Sequence, residues 1–250
     1  MEFRKMVFAA AVAAAAAAGA AVRGTVTTAN GSQSGMVTWS RASNKYTVEV
    51  QRAGGGAMST DIAEKDAISV SIEKPAAFDQ AVRTRNKAAL ERIVKEYSHL
   101  TWDVEAGAVL AELLRSEGDK AGALSICQNI VGSNPQAAWK GSLAPAYWRA
   151  LLDNDKESIL ETNLKKAVAS GDRFTSGSAL LLRGDRIMKN GKTHENARRA
   201  LLEGYLRVAL LYTEEEVRDR LAPEAFSKSA DCFEILGYSS KAAEFRSKAR

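Results

Sequence analysis

The chain is poor in the residue types on which many metal-dependent enzymes and disulfide-bonded proteins rely. Among 250 residues there are 2 His and 2 Cys, too few for a His-rich metal centre or a disulfide framework. Only 4 Pro interrupt it, so long stretches are free to be helical. Neither sign of charge dominates: 35 Lys+Arg face 30 Asp+Glu, a formal charge of +5. The hydrophobic fraction of 46% is that of an ordinary globular protein. These figures exclude wholesale disorder, a collagen-like chain and a multi-span membrane protein. Basic and acidic residues alternate instead of forming a block, which reads as a mixed solvated surface; no nucleic-acid partner is expected.

One apolar run stands out. Residues 1–22 read MEFRKMVFAAAVAAAAAAGAAV. Arg4 and Lys5 supply a short basic region, Met6 to Ala18 an apolar stretch, and Ala18-Gly19-Ala20 the small residues that signal peptidase accepts. Glu2 departs mildly from an ideal basic region. An Ala-rich run of this kind is too weakly apolar for a spanning helix. The expectation is a signal peptide cut after Ala20 or Ala21, a periplasmic or secreted protein, and no stable membrane span after cleavage. In an oxidising space Cys127 and Cys232 could pair. Both lie at helical apolar positions more than a hundred residues apart, however, and read as buried free thiols.

The period of the hydrophobic pattern changes near Pro75. From Gly24 to Lys74 apolar residues alternate: Val37 and Trp39; Tyr46, Val48 and Val50; Ile68, Val70 and Ile72. That is the pattern of half-buried strands. Asn30-Gly31, Ser43-Asn44 and Gly54-Gly55-Gly56 separate them as turn formers. The spacing predicts five strands near 25–28, 36–40, 45–51, 57–60 and 67–73. This meander resembles an SH3-like small barrel, so residues 23–75 are read as a small β domain, a packing module with five basic and five acidic residues between 24 and 75. Pro75 suits the first turn of a helix. Beyond it Leu90, Ile93, Val94 and Tyr97 fall on one helical face.

Helix punctuation then recurs. In 104–135, VEAGAVLAELLRSEGDKAGALSICQNIVGSNP, Ala111 is followed by Gly118 after seven residues, by Ala123 after five more, and by a closing Pro135. Small residues at Ala111 and Ala123 let two antiparallel helices approach, Gly118 ends the first helix and Asp119 caps the second. Ala230, Gly237 and Ala242 repeat the seven and the five. Gly184 and Gly191 keep the seven, with Ala197 one residue late, and shorter pairs are read near 76–98 and 142–169. This pattern resembles the tetratricopeptide repeat, a 34-residue helix-turn-helix unit. The second-helix aromatic of that family is Cys127 in the first copy and Arg246 in the last, and no copy has the full Trp-Leu-Gly-Tyr first helix. Thr213 with Glu216 forms a capping box for a further helix over 214–221. The fold class expected is α+β: an SH3-like β barrel followed by an all-α, tetratricopeptide-like solenoid over 76–250.

Catalytic signatures fail on inspection. His194-Glu195 lacks the second His a zinc-protease helix needs. Gly31-Ser32-Gln33-Ser34-Gly35 has Gln where a nucleophile elbow places Ser. Ser71-Ile72-Glu73-Lys74 lies on a strand pattern, where Ser and Lys do not share a helical turn. Asp153 and Asp155 read as a turn and helix cap, and His99 as a packed or surface residue beside Tyr97 and Trp102. No enzyme activity, metal or cofactor is expected. The repeat resemblance implies instead that first helices line a surface for a protein or peptide partner in the cell envelope. It places Glu105, Glu112 and Arg115 of the first copy there, and Glu224, Asp231 and Glu234 of the last. Trp139, Tyr147 and Trp148 around Pro145 read as packing between helix pairs. A homo-oligomer formed through the β module or the C-terminal helix is compatible with this reading. The rival is a cell-wall glycan module, with Trp39 and Tyr46 stacking on sugar.

Overall fold

A computed structural model of the chain describes residues 21–51, 55–212 and 214–249. Nearly all of the expected signal peptide and the capping residue Thr213 lie outside the described residues. By internal contacts the chain divides into two units, Met1–Gly107 and Ala108–Arg250.

The first unit opens with five antiparallel strands: β1 Val22–Thr28, β2 Gly31–Ser40, β3 Lys45–Gln51, β4 Ala57–Ala63 and β5 Ala67–Ile72, in the spatial order β4-β3-β2-β1-β5. Alternation sets the register. Val37 lies between Val22 and Val48, and Trp39 opposite Tyr46, which in turn faces Ile62. Val26, Val37, Trp39, Tyr46, Val48, Ile62 and Ile72 are all buried. The third alternating set departs from expectation, because Ile68 on edge strand β5 is 69% exposed. A 3-10 turn at Glu64–Asp66 leads from β4 to β5. The expected barrel is in fact an open sheet, since β4 and β5 occupy opposite edges and do not pair. Its apolar face is filled by later chain instead of by closure: Leu100 is fully buried in that core, and Tyr97 and Trp102 pack against it. The packing boundary therefore lies at Gly107, well past the strand-to-helix change at Pro75.

Helices follow: α1 Phe78–Arg83, α2 Lys87–Glu96, α3 Trp102–Ser116, α4 Lys120–Ser133, α5 Leu143–Asp153, α6 Glu157–Ala169, α7 Arg173–Lys189, α8 His194–Ala200, α9 Leu206–Leu211, α10 Glu215–Ile235 and α11 Ser239–Lys248. A π-helical turn, Leu201–Tyr205, joins α8 to α9. In the second unit α4 packs on α5, α5 on α6 and α7, α6 on α7, α7 on α8 and α10, and α10 on α9 and α11. Three of the turns are equivalent. Gly118, Gly191 and Gly237 adopt positive φ of 87°, 121° and 80°, where a side chain is disfavoured. In each case the fourth residue of the next helix is an alanine, Ala123, Ala197 or Ala242, with no exposed surface. Ala111 and Ala230 on the preceding helices are equally buried. Ala197 arrives late because its turn carries one more residue: Thr193 caps α8 through Asn196 N–H at 3.1 Å, as Asp119 caps α4 through Gly122 N–H at 2.8 Å.

One further expectation needs correction. The helix read over 214–221 and the last copy are one helix, α10, which runs through Pro223. Pro223 is exposed, as is Asp219 one turn earlier, so water can satisfy the carbonyl that loses its donor. The last hairpin carries an aromatic at Phe245, beside Arg246. Phe245 is buried, with edge contacts to Phe226 and Phe233 at 5.5 and 5.0 Å. Around Pro145, in the first turn of α5, Trp148 is fully buried and donates its indole N–H to Ala138 O at 2.7 Å. Cys127 and Cys232 are buried and unpaired. No helix among the described residues is long and apolar enough to cross a membrane.

Seating the second helix on a methyl leaves no room for a larger group. Ala123→Leu is expected to cost about 1–3 kcal/mol by overpacking, read as a lower unfolding midpoint by far-ultraviolet circular dichroism. A matched change at exposed Ala121 should leave that midpoint in place.

Candidate functional site

Charged side chains of α3, α5, α7 and α10 meet in one network. Arg149 of α5 sits at its centre. It donates to Glu112 of α3 at 3.1 Å and to both oxygens of Glu224 of α10 at 3.1 and 3.0 Å. Arg115 bridges Glu112 and Asp153, both at 2.7 Å. At the other end Lys228 holds Glu224 at 2.8 Å and Asp185 at 2.5 Å, and Tyr205 donates its hydroxyl to Asp185 at 2.8 Å. Three cations, Arg115, Arg149 and Lys228, thus meet four carboxylates, Glu112, Asp153, Asp185 and Glu224. Side chains from residues 37 and 75 positions away converge on Arg149.

Burial and charge compete at Glu224 and Arg149. Burial alone would raise the Glu224 carboxyl, but Arg149 and Lys228 hold it below the usual carboxylate range. Burial disfavours the charge of Arg149, yet Glu224 and Glu112 raise its affinity for its proton above the ordinary value. Tyr205 is driven strongly upward by burial and by the Asp185 charge, so its phenol stays neutral. Burial pushes the Cys127 thiol up to about 12 and the Cys232 thiol to about 11; neither is a thiolate at neutral pH, so neither is an activated nucleophile. The arrangement is a set of mutually paired charges. No group of three or more His, Cys, Asp or Glu among the described residues could hold a metal ion.

Of the six residues placed on the binding face by sequence, three come together here: Glu112, Arg115 and Glu224. Asp231 and Glu234 turn instead to Arg246 of α11, at 3.4 and 3.0 Å. They line a cleft of about 410 Å3 whose wall includes Asp185, Tyr205 and Lys228 of the network. Glu105 lies in the first unit, half-buried in α3. Arg149, the residue that links the others, had no local signal, since its partners are distant in sequence. Asp153 and Asp155 serve ion pairs in place of caps: Asp153 takes Arg115, and Asp155, in a left-handed turn at φ 56°, takes Lys189 at 2.6 Å.

The aromatic face of the sheet is also occupied. The His99 ring stacks on Trp39, centroids 3.5 Å apart and planes within 10°, and its Nδ1 lies 2.7 Å from Glu64 Oε1. His99 takes a positive φ of 63°, which costs energy for a non-glycine residue. Two bonds hold it there: its N–H donates to Asp103 Oδ2 at 3.0 Å, and Tyr46 donates its hydroxyl to the His99 carbonyl at 3.1 Å. Thr101 and Trp102 donate to the Val70 and Ile72 carbonyls at 2.9 and 3.0 Å, covering part of the β5 edge. Burial, with the charges of Glu64 and Asp103, pushes the Tyr46 phenol up to about 12. Trp39 and Tyr46, the residues of the glycan reading, are 8% and 5% exposed and engaged with His99.

Two outcomes follow from these contacts. Leu100→Ala empties the centre of the sheet's core and is expected to cost about 2–5 kcal/mol, seen in urea unfolding followed by Trp fluorescence. Arg149→Leu removes the guanidinium that links Glu112 to Glu224, leaving each carboxylate one remaining cation, Arg115 or Lys228. With the Arg149 side chain 27% exposed, a loss of about 2 kcal/mol is expected, below the fully buried case. The folded Glu224 carboxyl is depressed, so its contribution is present above the unfolded value and is lost as pH falls below about 4. Thermal unfolding across neutral to acid pH should therefore show the parent chain losing stability in that window and the Arg149→Leu chain losing less.

No family model, no curated protein and no solved structure matches this chain.

Proposed function

We propose that the chain is a non-catalytic scaffold of the cell envelope, periplasmic or secreted, whose helical unit binds a protein or peptide partner as a tetratricopeptide-like array. Three hairpins with equivalent turn glycines and fully buried alanines support a repeated unit. The observation that carries the reading is the shared charged network of α3, α5, α7 and α10, the alternate helices that would form the binding face of such an array. Its cations and carboxylates are 21–39% exposed, held in fixed geometry yet reachable by a partner's side chains. Preorganised charge of this kind gives specificity more than raw affinity. The β unit is read as a packing module, supported by an apolar sheet face filled by Leu100, Tyr97 and Trp102 of the same unit. Location in the envelope rests on residues 1–22 alone.

Amine-reactive crosslinking of the native protein in its envelope, with the linked peptides mapped, tests this. Links to a partner chain are expected at Lys189 and Lys228, on α7 and α10. Links confined to Lys120, Lys241 and Lys248, on α4 and α11, or no linked chain at all, would overturn it.

A further inference from the structure

A second surface of the helical unit carries a separate site. Helices α6, α7 and α8 and the π-helical turn border a cleft of about 450 Å3. Its floor is aliphatic, with Leu164, Leu180 and Ile187 each 8% exposed, and Val168 stands at its edge 55% exposed. Four basic side chains face two carboxylates around it, an excess of two positive charges. One of those carboxylates, Glu203, holds two guanidinium groups at once, Arg183 at 2.8 Å and Arg199 at 3.1 Å. Each arginine spends a single nitrogen on Glu203. The remaining N–H groups, Nε and Nη1 of Arg183 and both Nη of Arg199, have no partner among the described residues.

The π-helical turn explains this geometry. Such turns insert one residue into a helix and recur at functional sites. Here the turn brings Gly204 so close to α7 that a Cβ would lie 2.7 Å from the Leu180 carbonyl oxygen and 2.9 Å from the Gly184 nitrogen. The neighbouring Glu203 reaches Arg183 on α7 while keeping Arg199 on its own helix. The result is a braced arginine pair beside an apolar floor.

We propose that this cleft docks an acidic, aliphatic peptide segment of a partner protein. Aliphatic side chains fill the floor, and a carboxylate accepts the unspent guanidinium N–H groups in charge-assisted hydrogen bonds. Local charge selects the ligand's sign, and the rigid arginine pair favours one planar carboxylate over a diffuse charged surface. This site is distinct from the network around Arg149, and neither reading depends on the other.

The test uses the full chain and a fluorescein-labelled helical peptide of Leu, Ala and Glu, about 14 residues long, with a counterpart carrying Gln for every Glu. Fluorescence anisotropy is expected to show the Glu peptide binding, and the Gln peptide at least about tenfold weaker. Arg183→Gln combined with Arg199→Gln should weaken the Glu peptide by a similar factor. Val168→Asp, at an exposed position that leaves folding intact, should weaken it as well. Equal binding of the two peptides, or indifference to these substitutions in chains with unchanged circular dichroism, would overturn the proposal. Displacement of the peptide by phosphatidylglycerol vesicles would overturn it too, by assigning the cleft to lipid.

Discussion

Close approach of helices through single methyl groups is the constraint on which the helical unit depends. Ala123, Ala197 and Ala242 each stand four residues into a second helix and have no exposed surface. A larger side chain at such a fully buried position would force its neighbours apart. Everything beyond this spacing is placed by it. The charged residues of alternate helices can reach one another across the unit because the rods are near. Glu203 can hold two arginines because Gly204 and Gly184 let the π-helical turn lie against α7.

The β unit solves a different problem. An open five-stranded sheet exposes one apolar face and two edges, and both are liabilities for a folded protein. This chain covers the face and part of the β5 edge with its own segment from Tyr97 to Trp102. Leu100 supplies buried area, His99 a stacked ring and an anchored backbone, and Thr101 and Trp102 donate to carbonyls of the β5 strand. Holding His99 in a left-handed conformation costs energy that two hydrogen bonds to its backbone offset. The same contacts use the aromatic residues that a sugar would need.

Local signals were sufficient for the elements. Alternation of Val37 and Trp39, and of Tyr46 and Val48, is a property of neighbouring residues, and the strands lie where it occurs. Turn glycines such as Gly118 and Gly237 act on their own backbone, so the hairpins were legible from spacing. The same reasoning failed where an effect was not local. Ile68 fits the alternation but is exposed, because the β1–β5 register shifts between Thr27 and Thr28, so that Ile68 has no partner on β1 and Ala67 packs on the core. The helix expected over 214–221 does not stop there, because the exposed position of Pro223 lets α10 continue through it.

The site shows the same division. Glu112, Arg115 and Glu224 were put on one face by the repeat resemblance, and they do come together. That they share one guanidinium was not legible, since Arg149 lies 37 and 75 residues from its partners and no local pattern joins them. Asp231 and Glu234 have the same period as Glu224 but turn to Arg246 on the next helix. The amino-acid order alone determined which segments become strands, helices and tight turns, because those depend on side chains within a few positions of each other. Only the tertiary structure decided which charges are paired, which face is covered and which arginines keep free donors, because each outcome depends on groups that meet only once the helices have packed.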